Sequence, residues 1–448
     1  MARLFGTDGV RGIAGEDLTP GLAMLIGRGA ATVLTAQTSH RPRILIGKDT
    51  RISGDMLEAA LSAGLCSVGA DVELLGVIPT PAVAYLVRKY GADAGIVISA
   101  SHNPMEFNGI KIFNGDGYKL PDEVEDEIEH LVRNKAEVKL STGAGVGRVT
   151  RCENAVEDYV EYLAGCLLAN LSGLRVAVDC ANGAAAAPAQ LLFARLGAEC
   201  HFIGVEPDGV NINEGCGSTH IGNLAKYVVE HGLDCGVAFD GDADRCLAVD
   251  EKGNEIDGDK IIAVLAKHMR EQGALPGDTA VVTVMSNLGF MQYMRETLGL
   301  KIATTAVGDR YVLEEMRAKG YAIGGEQSGH VILLQHSTTG DGELTAGTLL
   351  NILAATGGRM SALTGVYEKF PQVILNVIAT PDEKARFKED EYIAGFIESQ
   401  QQGLMGQGRV LVRVSGTEPY IRVMVEGRDQ EAIAQAAQLI VDMIEKRK

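Results

Sequence analysis

Three aspartates at alternate positions, Asp240, Asp242 and Asp244 in VAFDGDADRCLAV, form a compact acidic group in this chain. On a helix the middle carboxylate would point away from the other two, whereas in an extended or looped chain all three converge. The apolar flanks on both sides predict a strand–loop–strand. Three crowded oxygen ligands repel one another without a cation, so Mg²⁺ or a similar hard ion is implied. An EF-hand loop also begins D-x-D-x-D, and Glu251 falls at its twelfth position. Arg245 nevertheless occupies the sixth position, where the sharp turn requires Gly. A solvated acidic loop without metal is the plainer alternative. Arg245 either meets a substrate phosphate or balances the acids.

The second candidate is Ser101, in GIVISASHNP (residues 95–104). Ile96, Val97 and Ile98 read as a buried strand, and Pro104 keeps Asn103 out of a helix. A strand ending in a small, polar loop places a side chain at the carboxyl edge of a sheet, where α/β proteins do chemistry. Ser101 is therefore a candidate nucleophile carrying a phosphoryl group. The competing reading is a turn whose hydroxyls satisfy only backbone groups.

Further loops carry the groups such chemistry would need. FGTDGVRG (residues 5–12) is rich in Gly and could bring Arg11 and backbone N–H groups to a phosphate. Lys111, in GIKIF, follows the Ser101 loop and is either in the same space or a surface lysine. VGDR contributes Gly308 and Asp309 to a polar Gly loop. GGEQSGH offers Glu326, Gln327, Ser328 and His330, a mixture of donors and acceptors that suits sugar hydroxyls. Near the end, Ser415, Gly416 and Thr417 lie between Arg413 and Arg422, a pattern suited to a phosphate cradle. A hairpin turn is the plainer reading there.

Strands must position these loops. RILIGKDTR, DVELLGV and GIVIS alternate with Ala/Leu-rich helical stretches, which predicts an α/β domain with a largely parallel sheet. GAGVG (residues 143–147) reads as a spacer, because no clean strand–turn–helix frame surrounds it. A second α/β unit follows to about residue 249 and a third to about residue 363. The last segment reads as α+β: an alternating strand, one helix over residues 384–401, two strands around SGTEP, and a closing helix over 429–445 with Ile433, Ala436, Ile440 and Ile444 on one stripe.

With 448 residues, several domains are expected. Apolar residues make up 46% and charged residues 22%, an ordinary globular composition. The net charge of −18 argues against a nucleic-acid partner and requires phosphates to be met by local Arg, Lys and backbone N–H groups. No apolar run reaches membrane-spanning length and no leader pattern opens the chain, so a cytoplasmic location is expected. The eight cysteines are scattered with no Cys-x-x-Cys pair, which excludes a zinc ribbon and predicts reduced thiols.

The ordered set FGTDGVRG, ISASHNP, DGDADR, GGEQSGH and RVSGTEP resembles the α-D-phosphohexomutase superfamily, and the resemblance runs from the first loop to the last. FGTDGVRG, VGDRYV and Gln327 are similar to the branch acting on glucosamine phosphates; the mannose and glucose enzymes more often carry Met at the Gln327 position. The resemblance implies an α/β fold of four domains around a central cleft. Three would be α/β with mixed or parallel sheets (1–150, 151–255 and 256–365), and one a smaller C-terminal α+β domain (366–448). It implies that Ser101 is phosphorylated and that Asp240, Asp242 and Asp244 hold one Mg²⁺ with a phosphoserine oxygen. Lys111 and His330 would do acid/base work, and Glu326 and Ser328 would grip sugar hydroxyls. Arg11, Arg245, Gly308 and Asp309 would line the substrate site. Arg413, Ser415, Gly416, Thr417 and Arg422 would hold the non-reacting phosphate. Val414 departs from the Pro often found before Ser-Gly-Thr, which implies a less rigid loop.

The implied reaction interconverts the 6- and 1-phosphates of glucosamine through a 1,6-bisphosphate, with a sugar 1,6-bisphosphate as activator. A broader hexose specificity is the alternative, and a homodimer and a kinase priming Ser101 are left open. A serine hydrolase would lack its Gly-x-Ser-x-Gly elbow. A non-catalytic sugar-phosphate sensor would leave Ser101 unmodified.

Overall fold

β-Branched runs bounded by Gly and polar turns place strands at the centre of each α/β layer, and Ala/Leu-rich helices cover them. In the first, β1 (Val10–Ile13), α1 (Pro20–Leu34), β2 (Arg43–Lys48), α2 (Ser53–Ser67), β3 (Asp71–Val77), α3 (Thr80–Tyr90), β4 (Ala94–Ile98), β5 (Phe107–Asn114), α4 (Asp122–Arg133) and β6 (Val149–Arg151) follow in order. They build a six-stranded sheet ordered β1-β5-β4-β2-β3-β6. β2, β3, β4 and β6 are mutually parallel, while β5 runs antiparallel to β4 and β1 antiparallel to β5. The sheet is thus mixed where a largely parallel one is expected. The Gly-rich stretch at 143–147 leads into β6, which completes the sheet edge across position 150. FGTDGVRG is not wholly a loop, because β1 puts Arg11 on an edge strand opposite Gly109. This chain is described here as a computed structural model covering residues 3–6, 8–36, 38–134, 137–167, 170–404, 407–415 and 419–448.

The second layer comprises α5 (Ala155–Leu167), β7 (Arg175–Asp179), α6 (Ala186–Leu196), β8 (Glu199–Ile203), α7 (Ile221–His231), β9 (Cys235–Phe239), β10 (Cys246–Asp250) and β11 (Glu255–Ile256). Its sheet order is β11-β10-β9-β7-β8. β9 and β10 are antiparallel, so the Asp loop is the strand–loop–strand expected, and the EF-hand reading falls. The third carries α8 (Gly258–Glu271), β12 (Thr279–Thr283), α9 (Leu288–Gln292), β13 (Lys301–Thr305), α10 (Asp309–Lys319), β14 (Ile323–Gly325), β15 (Val331–Leu333), α11 (Gly342–Thr356) and α12 (Met360–Thr364), around a sheet ordered β13-β12-β14-β15. The strands are fully buried in β4, β7 after its first residue, β9, β10 and β12, because helices cover both faces.

The chain separates into two units: Met1–Met285 with Leu300–Val366, and Ser286–Gly299 with Tyr367–Lys448. The second contains β16 (Gln372–Ile378), α13 (Pro381–Glu389), α14 (Glu391–Gly403), β17 (Gly408–Val414), β18 (Tyr420–Gly427) and α15 (Gln430–Arg447). Its antiparallel sheet is ordered β16-β18-β17, with Ile433, Ala436, Ile440 and Ile444 of α15 in its core as the apolar stripe requires. The single helix expected over 384–401 is two helices. Asp390 has an extended ψ of 94° and accepts from Tyr392 and Ile393 N–H, so it ends α13 and caps α14. The segment Ser286–Gly299, with α9, joins this unit: Asn287 Nδ2 donates to Glu426 and to Phe370 O.

Among the described residues no helix is long and apolar enough to cross a membrane. The eight cysteines are free, with Cys180, Cys235 and Cys246 buried.

Candidate active site

Two loops at carboxyl ends of strands meet in the first unit. After β4, Ser101 takes a left-handed φ of 53°, a costly conformation for a residue with a Cβ. After β9, Ala243 does the same at 55°. Gly241 lets the loops touch, since a Cβ there would lie 2.6 Å from Ser101 O. Ser101 Oγ consequently donates to Asp240 Oδ2 at 2.5 Å. Asp240, Asp242 and Asp244 each present an oxygen within 4.8 Å of the others. All three are buried. Asp242 Oδ1 and Asp244 Oδ1 lack a hydrogen-bond partner among the described residues. Buried carboxylate oxygens left over in this way fit a divalent cation, and hard oxygen donors suit Mg²⁺.

Lys111 is no surface lysine: its side chain is 2% exposed. β5 carries it opposite Val97, and its Nζ lies 2.8 Å from Asp242 Oδ2, 3.1 Å from Asp244 Oδ2 and 3.1 Å from Asp8 Oδ2. Burial works against its charge, but Asp242, Asp244 and Asp8 outweigh that and hold the ammonium well above the usual lysine range. Burial and the other two acids push Asp240 well above the carboxylate range. Burial would do the same to Asp244, but Lys111, His330 and Arg245 hold it below. Asp240 and Asp244 are thus electrically unequal, with the higher proton affinity on the one that accepts from Ser101.

Arg245, at the end of the same loop, is 4.0 Å from Asp240 and 3.9 Å from Asp244 through Nε. Arg11 bonds Asp8 at 2.6 Å and Asn103 at 3.3 Å. His102 Nδ1 lies 3.3 Å from Ser101 Oγ. Burial first, then Arg245 and Arg11, bring its pKa down to about 4, so the ring is neutral at pH 7. The third layer adds Glu326, whose Oε1 accepts from Gly308 N–H at 3.1 Å. His330 Nε2 faces Asp309 Oδ2 at 3.4 Å. Ser328 is exposed. Gln327 donates to Asp257, the N-cap of α8, at 3.3 Å.

In the second unit, Arg413 and Arg422 are cross-strand neighbours on β17 and β18. Ser415 N–H donates to Tyr420 O, and Lys384 donates to Ser415 O at 2.9 Å. Gly416 and Thr417 lie outside the described residues.

Several contributors were not legible as site residues. Asp49 and Arg51, in the DTR turn after β2, form a pair with fully buried side chains. Arg51 also donates to the carbonyls of Ser101, Asn103, Pro104 and Phe107, while Asp49 accepts from Ser99 Oγ. Ser99 Oγ in turn accepts Ser101 N–H. Asn213 Nδ2 donates to Ser101 O from the second layer, and Thr80 donates to Asp242 from α3. Asp8 lies within FGTDGVRG, but the spacing there drew attention only to Arg11. Lys119 sits outside every motif.

Comparison with known proteins places this geometry in a lineage. The alpha/beta/alpha domains I, II and III of phosphoglucomutase/phosphomannomutase match residues 2–139, 157–253 and 257–370, and their C-terminal domain matches 375–443. Phosphoglucosamine mutase from Ruminiclostridium cellulolyticum is 54% identical over 448 residues, covering 100% of each chain. The phosphoglucosamine mutase of Acetivibrio thermocellus is 53% identical, also over 100% of each. The chain belongs to the phosphoglucosamine mutase branch of the phosphoglucomutase/phosphomannomutase family. Solved members of the wider family share the fold. A phosphoglucomutase/phosphomannomutase family protein from Burkholderia thailandensis superposes with a TM-score of 0.81 at 24% identity, covering 100% of this chain and 98% of the other. Aspergillus fumigatus N-acetylphosphoglucosamine mutase, solved with GlcNAc-6P and magnesium, gives 0.71 at 18% identity over 99% and 95%. The four-domain mutase architecture, three α/β and one α+β, is therefore this chain's own.

Proposed function

We propose that the protein interconverts glucosamine 6-phosphate and glucosamine 1-phosphate, with Ser101 carrying the phosphoryl group. The observation behind this reading is Ser101 Oγ on Asp240 within a buried carboxylate triad that keeps two unpartnered oxygens. Asp240, Asp242 and Asp244, with an oxygen of phosphorylated Ser101, would hold one Mg²⁺. When bound, the ion offsets charge on the transferring phosphoryl group, the main task in this chemistry.

The chain's own residues do the rest. O1 or O6 of the sugar phosphate attacks phosphorus as the P–Oγ bond of Ser101 breaks, giving a 1,6-bisphosphate. One group takes the proton from the attacking hydroxyl and another gives one to departing Oγ. Lys111 and His330 are assigned to these transfers. Arg245 and Arg11 supply cationic charge beside Ser101, and neutral His102 adds no repulsion against them. Glu326, with Ser328, Gly308 and Asp309, receives the sugar. Arg413, Ser415, Gly416, Thr417 and Arg422 hold the phosphate that is not reacting. The bisphosphate then turns end for end and returns its other phosphoryl to Ser101.

Escape of the bisphosphate would leave dephosphorylated enzyme. A sugar 1,6-bisphosphate is therefore the expected activator, with a kinase the other source of the first phosphoryl group. Domain boundaries near 150, 255 and 365, a cytoplasmic location supplying amino-sugar nucleotide and cell-wall precursors, and a homodimer as the open oligomeric question complete the reading.

The test is ³¹P spectroscopy with Mg²⁺, a trace of hexose 1,6-bisphosphate, and glucosamine 6-phosphate or glucose 6-phosphate in parallel. Faster growth of the 1-phosphate signal from the amino sugar is expected. Equal or faster conversion of glucose 6-phosphate would move the assignment to a broader hexose enzyme, and free phosphate alone would indicate hydrolysis.

A further inference from the structure

Lys119 follows β5, just after the Gly117 turn, and is 11% exposed. Its Nζ lies 2.5 Å from Asp8 Oδ1 and 2.5 Å from Asp309 Oδ2. The other oxygen of Asp8 is 3.1 Å from Lys111 Nζ and 2.6 Å from Arg11. Asp309 Oδ2 is 3.4 Å from His330 Nε2. Cation and anion therefore alternate from Lys111 through Asp8 and Lys119 to Asp309, and the line ends on the His330 imidazole. The line starts on the first sheet and ends beside the third, and its two ends are the groups assigned to proton transfer.

Each carboxylate depends on the ammonium between them. Burial alone would raise Asp8, but Lys111, Lys119 and Arg11 overcome it and hold Asp8 well below its usual range. Burial opposes Asp309 in the same way, and Lys119 with His330 holds it down. Without Lys119, two enclosed carboxylates would face each other without the cation that separates them. They would protonate or swing apart. Asp309 is the anion facing His330, whose ring nitrogens have no hydrogen-bond partner among the described residues. Lacking such a partner, the imidazole faces Asp309 through a 3.4 Å electrostatic contact, which a shift of Asp309 would remove.

The geometry points to Lys119 as a positioning residue for both proton-transfer groups. One ammonium keeps Asp8 against Lys111 and Asp309 against His330, so the two ends hold a fixed relation while the sugar presents first one hydroxyl and then the other. This inference rests on the roles proposed for Lys111 and His330. A purely structural ion pair would show in folding stability. A positioning residue shows in turnover, because misplacement of a proton-transfer group by about 1 Å costs on the order of 100-fold.

The experiment compares Lys119→Met and Lys119→Arg with the unaltered full chain, with Mg²⁺ and a trace of hexose 1,6-bisphosphate. The substrate is whichever of glucosamine 6-phosphate, glucose 6-phosphate and mannose 6-phosphate the unaltered protein turns over fastest. Thermal unfolding is followed in parallel. In Lys119→Met, kcat should fall roughly 100-fold, by a larger factor than KM rises through the displaced Asp309, and Lys119→Arg should recover at least about tenfold of the loss in kcat. Should the Met variant not fold, Lys119→Gln, which keeps a donor between the carboxylates, takes its place against Lys119→Arg. A kcat within about threefold of the unaltered protein, a loss confined to KM, or an Arg variant no better than Met would each overturn the assignment. Preference of the unaltered protein for glucose or mannose phosphate would overturn the glucosamine reading and leave the Lys119 comparison standing.

Discussion

Ser101 is held in a strained backbone conformation, and the network holding it is nearly complete. The side chain of Arg51 makes four carbonyl contacts and one carboxylate contact. That planar fork cannot be reproduced by a lysine. Arg51→Met would leave Asp49 buried and unpaired, so unfolding in urea should show a loss of about 3–5 kcal/mol; a loss below about 1 kcal/mol would mean the clamp is dispensable. Ser101→Ala is a different case. The hydroxyl bonds Asp240 at 2.5 Å and meets His102 Nδ1 at 3.3 Å, and a methyl fits the same backbone. Turnover should fall to background while stability changes by less than about 2 kcal/mol. Normal rates in that variant would remove Ser101 from the nucleophile's place.

At the scale of elements, the N-terminus of α11 deserves a titration of its own. Asp341 caps it by accepting Leu344 N–H and also accepts Tyr159 O–H at 2.9 Å. Burial dominates those bonds and lifts its pKa to about 6. The folded protein then binds this proton more tightly than the unfolded chain does. Its contribution to stability is fully present below about pH 4, where an unfolded Asp titrates, and is lost as pH rises through about 6. Asp341→Asn has no such proton to lose. Between pH 4 and 7 the stability difference should therefore move in favour of the variant by roughly 2–3 kcal/mol. Glu343 is pushed up by burial first and also by the Asp341 charge, so the comparison is made in a Glu343→Gln background, where that coupling is absent. A flat difference across that range would place the Asp341 carboxyl in a better-solvated environment than its burial indicates.

For the molecule as a whole, the formal charge of −18 makes a cation in the triad a stabilising ligand as well as a chemical one. An ion that binds only the folded state adds about 2.7 kcal/mol at 100 times its dissociation constant. Mg²⁺ should therefore raise the unfolding midpoint in a concentration-dependent way, and Asp242→Asn should lose most of that rise. Exhaustive chelation should also abolish turnover in the unaltered protein. A midpoint insensitive to Mg²⁺ would argue that Lys111 alone balances the triad.

The local grammar of this chain determined its strands, most of its helices, the strand–loop–strand around the Asp triad, and the Ser101 loop. Period-two and period-3.6 patterning, Gly and Pro punctuation and crowded carboxylates are properties of neighbours in sequence, so they can be read without a fold. The break at Asp390 escaped that grammar in the closing segment, because one capping side chain outweighs a continuous helical pattern. What the tertiary structure decided is which distant charges meet. Burial of Lys111, the Asp49–Arg51 clamp, Thr80 and Asn213 on the two loops, and the Asp8–Lys119–Asp309 line all join residues far apart in sequence. Gln327 shows the converse, since its motif pointed toward the sugar while the fold ties it to the cap of α8. Coulombic and hydrogen-bonding energies depend on separation and dielectric in space, and neither quantity exists until the sheets have brought the loops together.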